Sequence, residues 1–464
     1  MTRALLLPLL FAPLLAQAQP PFGGPPPEAR QACQGMAEGS ACSFQAPHGR
    51  LDGSCRQVPE GHVCVPQGGG MRAPGGMVGQ PPQARPQMGQ PPAGMPSMSG
   101  QTRPPRVEIA ATPADAIPTG SRIPDTNQGS CFDAEGAIPC PSPGQPWYGQ
   151  DAQYAGATPS YQNNGDGTLS DRVTGLMWQQ GHNEQRLDWY AARQACTDLR
   201  LGGYADWRLP SMRELFSIAD FRGAVGQRPY LDDAFTIRAP DSLSQTDQFA
   251  ASHRPEMMGQ TWSSTLYAGQ HWDRPGVEAA FFMNFLDGRI KQAPTRGREG
   301  LFHRCVRGAS WGDNAFQDNG DGSVTDQASG LTWQQRDDGQ TRDWPGALAY
   351  CEALTLAGHD DWRLPNVKEL QSIVDYRRPQ PALDTRFLQL SDPRAWFWSS
   401  TSLGDNVRQA TYVCFGKCTS VEGIDVHGAG AMRSDPKQGP VGSTQSQGGQ
   451  HDEIRVNNLV RCVR

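Results

Sequence analysis

The side chains best suited to chemistry lie between two short motifs, Trp-Ser-Ser-Thr and Arg-Cys-Val-Arg, each of which occurs twice in the chain. In the first interval Arg289, Lys291, Arg296 and Arg298, with Arg304, form a basic stretch that could grip sulfate or phosphate through bidentate guanidinium contacts. In the second interval Asp425 and His427 stand two residues apart, so on a strand they would face the same way. Arg433, Asp435 and Lys437 follow across a glycine-rich turn. That grouping predicts a metal or anionic-glycan pocket, with an irregular surface loop as the plainer alternative. The two copies differ most in these intervals, and variable loops on a constant scaffold are where binding is expected.

Catalysis has little support. There is no metalloprotease H-E-x-x-H, no phosphate-cradling P-loop and no dinucleotide fingerprint. His427 has no nucleophile beside it, because Cys414 and Cys418 are expected to be oxidised. Glu214 and Glu369 could pass for catalytic acids, but each completes a helix capping box. Asn-Gly-Asp-Gly, beginning at Asn164 and Asn319, places Asp166 and Gly167 at positions five and six of a calcium loop. Position one would then be Gln162 or Gln317 and no bidentate glutamate closes the loop, so a hairpin turn is the better reading. No cofactor is expected, and no metal is assigned.

Composition sets the context. Residues 1–18 read as a signal peptide: Arg3, an apolar run from Leu5 to Leu15, and Ala16-Gln17-Ala18 as a cleavage site. Export to the periplasm, the cell surface or the medium follows, with no membrane span. Twelve cysteines then read as disulfides. A net charge of -6 argues against nucleic acid as a partner. Cys33, Cys42, Cys55 and Cys64 lie in a segment (30–66) too short to bury a useful core, which predicts two disulfides in one of three connectivities, or less favourably a zinc site. Residues 67–118 are rich in Pro, Gly, Gln and Met and read as a disordered linker, whose Met71, Met77, Met88, Met95 and Met98 suit spacer composition better than Cu(I).

The remaining elements repeat. Asn164, Trp178, Trp189, Cys196, Asp206 and Glu214 match Asn319, Trp333, Trp344, Cys351, Asp361 and Glu369, every pair 155 residues apart. This is duplication of a domain, giving 120–308 (with a lead-in) and 309–464. Each copy should open as a β-meander around Asn-Gly-Asp-Gly. A helix capped by Asp188 or Asp343 should follow, with Cys196 or Cys351 facing inward. Then comes Asp-Trp-Arg-Leu-Pro, and a second helix whose capping box is Ser211-x-x-Glu214 or Asn366-x-x-Glu369. Strands near 281–285 and 412–415 should close each copy. Trp178, Trp207, Trp262, Trp333, Trp362 and Trp398 suit core positions, and Arg208 and Arg363 an arginine–carboxylate latch. With one cysteine on the first helix and one on the last strand, Cys196 pairs with Cys305 and Cys351 with Cys462. By elimination Cys131 pairs with Cys140 and Cys414 with Cys418.

These motifs, in this order and twice over, resemble the DUF1566 or Lcl C-terminal domain family, named after a collagen-like adhesin. The resemblance spans about residues 120 to 464. It implies an α+β fold of two tandem C-type lectin-like domains, and, through the best-studied relative, a sulfated glycosaminoglycan ligand. The E-P-N and W-N-D motifs that hold calcium and sugar in C-type lectins are absent, so calcium dependence is not implied. The expected function is adhesion-type recognition of extracellular or surface polysaccharide, with the tandem pair gaining avidity. The alternatives are a protein–protein envelope scaffold and a cysteine-dependent oxidase on a lectin-like fold, which would need a free thiol.

Overall fold

Cysteine, more than apolar bulk, holds the first part of the chain together. In this computed structural model residues 27–46, 49–58, 61–66, 122–183, 185–237, 258–297, 300–440, 446–447 and 450–464 are described. The leader (1–18), the linker (67–118) with its methionines, and Arg298 lie outside the described residues. The chain divides into two units, 1–105 and 106–464. In the first, a short helix α1 (Pro27–Gln31) precedes three antiparallel strands, β1 (Ala41–Ala46), β2 (Gly49–Val58) and β3 (Gly61–Pro66). The bonds Cys33–Cys55 and Cys42–Cys64 pin them, so the sulfurs are committed to disulfides and zinc is not their role. Ala29, Val63 and the four cysteines supply the buried side chains.

The second unit begins with a lead-in that carries the small hairpin β4 (Cys131–Phe132) and β5 (Ala137–Ile138), closed by Cys131–Cys140. The first copy then forms a meander of β6 (Tyr161–Asn163), β7 (Thr168–Asp171) and β8 (Met177–Gln179). Its tight turn needs glycine at two positions, Gly165 at φ +78° and Gly167 at φ +86°. Asp166 caps the turn, accepting from the Thr168 N–H at 3.0 Å and the Thr168 hydroxyl at 2.6 Å. The carboxylate is therefore occupied by its own turn. Helix α2 (Trp189–Asp198) starts where Asp188 accepts from the Ala191 N–H, and α3 (Met212–Ser217) carries the Ser211/Glu214 capping box. Strands β9 (Gln260–Leu266), β10 (Ala279–Asn284), β11 (Arg289–Pro294) and β12 (Val306–Arg307) complete the copy. Last, β12 returns to pair with β8.

The second copy repeats this with β13 (Phe316–Asp318), β14 (Ser323–Asp326), β15 (Thr332–Gln334), α4 (Trp344–Glu352) and α5 (Val367–Ser372). Its later strands are β16 (Trp396–Ser402), β17 (Gln409–Cys414) and β18 (Met432–Pro436), and β19 (Ser446–Gln447) pairs with β20 (Asp452–Glu453). Pro345 sits in the first turn of α4, where its missing N–H costs nothing. Cys196–Cys305 and Cys351–Cys462 tie each first helix to the closing Arg-Cys-Val-Arg, and Cys414 is bonded to Cys418.

The copies are not separate beads, as the avidity argument assumed. Their late strands form one six-stranded sheet in the order β16-β17-β18-β11-β10-β9, joined antiparallel where Ile290 opposes Met432. An exposed sheet edge is a site of unwanted pairing, and here each copy covers one edge of the other. One core runs through both copies: Phe281 of the first packs edge-on against Tyr376 of the second, ring centroids 4.9 Å apart. The lead-in, grouped by sequence with the first copy, packs on the second. Trp147 lies against Trp344, the Asp151 carboxylate accepts from the Thr401 hydroxyl at 2.6 Å, and Gln128 donates to the Ser402 carbonyl at 2.8 Å.

Candidate functional site

Asp-Trp-Arg-Leu-Pro resolves into three separate tasks. Arg208 grips Glu214 of α3 through two bonds of 2.7 and 2.6 Å, and Arg363 grips Glu369 of α5 through two of 2.6 Å. The aspartates hold the far end of the domain instead: Asp206 accepts from Arg307 at 2.8 Å and Asp361 from Arg464 at 2.7 Å. Trp207 and Trp362 are buried, each donating its indole N–H to the carbonyl of Leu201 or Leu356. The other arginine of Arg-Cys-Val-Arg is buried too. Arg304 donates to the carbonyls of Gln179, Gln180 and Thr236, and Arg461 to those of Gln334, Gln335 and Gln389. Trp262 and Trp398 each donate to a carbonyl that precedes the first helix, at Leu187 and Arg342, while Trp178 and Trp333 are fully buried. Through these bonds the motifs hold one another in place.

The charged intervals that looked like binding loops are corrected by their burial. Since β11 pairs with β18, Arg289 and Lys291 come beside Arg433 at the seam between the copies. Arg289 bonds Asp405 and Ser434, and Lys291 bonds Asp287 at 3.0 Å. Burial opposes ionisation of Asp287, but Lys291, Arg289 and Arg433 hold its carboxyl below the usual range. Arg433 pairs with Asp452, which also takes His427 Nε2 at 2.7 Å. Burial and the Arg433 charge push the imidazole of His427 down to about 3, so it is neutral at physiological pH. Asp425 is not on a strand facing His427. It is fully buried, accepts from the N–H groups of Cys418 and Gly428, and is bonded by Tyr267 of the other copy. Asp435 accepts from the Arg455 N–H at 2.9 Å, and burial raises its carboxyl well above the usual range. Lys437 is buried over the Trp344 ring and donates to the carbonyls of Phe132 and Asp133. Among the described candidates only Arg296 is exposed, stacked 4.5 Å above Tyr190. Arg289 and Lys291 thus join His427 and Arg433 in a buried seam network instead of forming a surface loop.

An open cleft lies elsewhere, at the junction of the copies. This cleft of ≈ 560 Å³ is lined by Arg213, Trp311, Asp313, Tyr376, Arg377, Asp384, Arg386 and Phe387 among others. Arg377 and Arg386 have side chains 82% and 71% exposed, yet each is anchored, Arg377 on Asp375 at 2.7 Å and Arg386 on Asp384 at 2.6 Å. Arg378 bridges the two carboxylates at 3.0 and 3.6 Å. Phe316 and Phe387 give the cleft an aromatic wall, centroids 5.8 Å apart. The sequence held a signal for this site. Asp220-Phe221-Arg222 and Asp375-Tyr376-Arg377 continue the 155-residue register beyond Glu214 and Glu369.

The sequence does hold one G-x-S-x-G, the pattern of a nucleophile elbow, at Gly308-Ala309-Ser310-Trp311-Gly312 on the rim of the cleft. It lies between β12 and β13 instead of at a strand-to-helix turn, and the Ser310 hydroxyl faces Asp313 at 3.5 Å. No histidine lines the cleft. All twelve cysteines are paired, so the free thiol that a cysteine-dependent oxidase would need is not found in this structure. The histidine and cysteine groupings close enough to hold a metal among the described residues, Cys33/Cys42/Cys64 and Cys196/His303/Cys305, likewise have their sulfurs in disulfides. No helix among the described residues is long and apolar enough to cross a membrane.

No curated protein and no solved structure matches the chain. The sequence profile of the Lcl C-terminal domain, a family not known to be catalytic, matches residues 167–307 and again 322–433. Those spans hold the last two meander strands, both helices, Asp-Trp-Arg-Leu-Pro and most of the sheet strands of each copy, and on that match the chain belongs to the Lcl C-terminal domain family.

Proposed function

We propose that this is an exported, non-enzymatic binding protein that recognises polysaccharide in the cleft between its two copies. The observation that carries the reading is the anchored array of Arg377, Arg378 and Arg386 on Asp375 and Asp384 beside Phe387. Guanidinium groups held rigid by carboxylates offer fixed donors next to fixed acceptors, which suits vicinal hydroxyls, and an aromatic ring beside them suits the apolar face of a sugar. Arg213, Arg377 and Arg386 face Asp313, Asp375 and Asp384 across the lining, three charges of each sign. That balance favours a hydroxyl-rich chain over a densely sulfated one. Two helices, an antiparallel sheet and a disulfide from first helix to last segment also suit the C-type lectin-like relationship. Six disulfides suit an oxidising compartment.

A glycan array probed with the full chain, with and without calcium and at two salt concentrations, tests this. Calcium-independent binding that Arg386→Ala weakens about tenfold and that changes little with salt is expected, since a well-placed charged hydrogen bond is worth roughly that factor. Silence across the array, or binding unaffected by Arg386→Ala and Arg377→Ala together, overturns it and leaves the envelope-scaffold reading.

A further inference from the structure

Beside the cleft lies a second, smaller cavity, whose Lys368 the polysaccharide reading does not use. It adjoins the cleft, sharing Arg213, Trp311, Asp313 and Asn314, and its volume of ≈ 20 Å³ is room for one water-sized occupant. Two cations from equivalent positions line it. Arg213 of α3 and Lys368 of α5 are 155 residues apart in the repeat, and the two helices pack on each other where the copies meet. Each reaches into the other half of the junction. Arg213 donates to the carbonyls of Gly312 and Val374, and Lys368 to those of Asp125 and Ser217 at 2.9 Å.

Neither cation has a carboxylate within ion-pair distance among the described residues, although Lys368 is only 3% exposed. A buried charge is ordinarily paired, because carbonyl dipoles alone do not replace its hydration. Burial accordingly pulls the Lys368 ammonium down to about 8, with Asp220, Asp125, Asp171 and Asp151 opposing it from a distance. Two further polar atoms on the lining residues are buried without a partner, the indole N–H of Trp311 and the Gln371 Oε1. Two acids share the wall: Asp326, whose oxygens accept from Asn314, Ala315, Ala328 and Ser329, and Asp313, and neither lies within ion-pair distance of Arg213 or Lys368. Ile123, Pro124 and Phe216 make the rest of the wall apolar, which strengthens any charge interaction inside it.

We propose that this cavity is a binding site for one small monovalent anion, of halide or carboxylate-tip size, held by the Arg213 guanidinium, the Lys368 ammonium and the Trp311 indole N–H. The anion gives the two cations the direct partner that the carbonyls do not, and ties the two copies to each other. The inference stands apart from the polysaccharide reading, since the anion needs no sugar and the cleft needs no anion.

The test is thermal melting of the full chain against chloride, and separately formate, at ionic strength held constant with methanesulfonate, which is too large for the cavity. A saturable rise in Tm with at least one of the two is expected. Trp311→Phe, which removes the indole donor and keeps an aromatic ring of smaller size, should move the half-saturation point about tenfold higher, and Lys368→Met should abolish the response. If Lys368→Met does not fold, Trp311→Phe decides alone. Crystals grown in bromide should show an anomalous peak between Arg213, Lys368 and Trp311. A Tm that follows neither anion, a Trp311→Phe curve identical to wild type, or a bromide-free cavity overturns the proposal.

Discussion

Replacing Glu214 by glutamine removes one negative charge from a carboxylate that four donors share. Arg208 contributes two bonds, the Ser211 N–H one at 2.8 Å, and the Trp311 N–H one at 3.2 Å. The amide keeps the shape but must turn an NH2 toward one of those donors. Breaking a buried pair from one side costs about 3–5 kcal/mol when both groups are dry. Here Glu214 is 1% exposed but Arg208 is 36% exposed, so water recovers part of the arginine's loss. A discounted cost of roughly 2–3 kcal/mol follows. Summing an unfolding entropy of ~2.1 cal/mol/K per residue over the unit gives a Tm fall of roughly 3–4 °C. Urea melts of wild type, Glu214→Gln, Arg208→Met and the double variant supply the cycle. A coupling of about 2 kcal/mol is expected if the two side chains are one latch. Single costs that add to within about 0.5 kcal/mol would refute the latch and reopen Asp-Trp-Arg-Leu-Pro as a ligand platform.

Three further outcomes follow from the seam, the lead-in and the disulfides. Lys291→Met should cost about 3 kcal/mol or more by stranding Asp287 among buried groups, whereas Arg296→Ala, on an exposed side chain, should change urea stability by less than about 0.5 kcal/mol. Asp151 is buried, and desolvation raises its carboxyl to about 7 against the hydroxyls of Thr126 and Thr401. The folded state therefore keeps a proton that the unfolded chain loses near pH 4, and stability falls as pH rises from about 4 through 7. Asp151→Asn should melt above wild type at pH 8, with the difference gone near pH 4; an unchanged difference across that range would contradict the assignment. Replacing Cys351 and Cys462 together by serine should cost on the order of 4 kcal/mol in the chain-entropy model, read as a lower urea midpoint.

Much of the local structure was legible in the residues themselves. Asp188 and Asp343 as helix caps, the two capping boxes and the Asn-Gly-Asp-Gly turns depend on neighbours within four positions. A second copy read in register doubles each of those signals. The helix-to-last-segment disulfides were accessible for a related reason, since each copy holds one cysteine at each of those places. By contrast, the fate of Arg289, Lys291, His427 and Arg433 turned on the pairing of β11 with β18, a contact between strands over a hundred residues apart. A charged side chain looks the same in sequence whether it meets water or a buried Asp287 or Asp452. The packing of the lead-in on the second copy and the cleft at Arg377 and Arg386 are likewise products of the joint sheet and shared core. The sequence alone determined two copies of one disulfide-braced domain, because covalent spacing and short-range hydrogen bonds encode that. Which charges are buried and which line the open cleft was decided only by the tertiary structure, because burial is set by what the other copy brings to the seam.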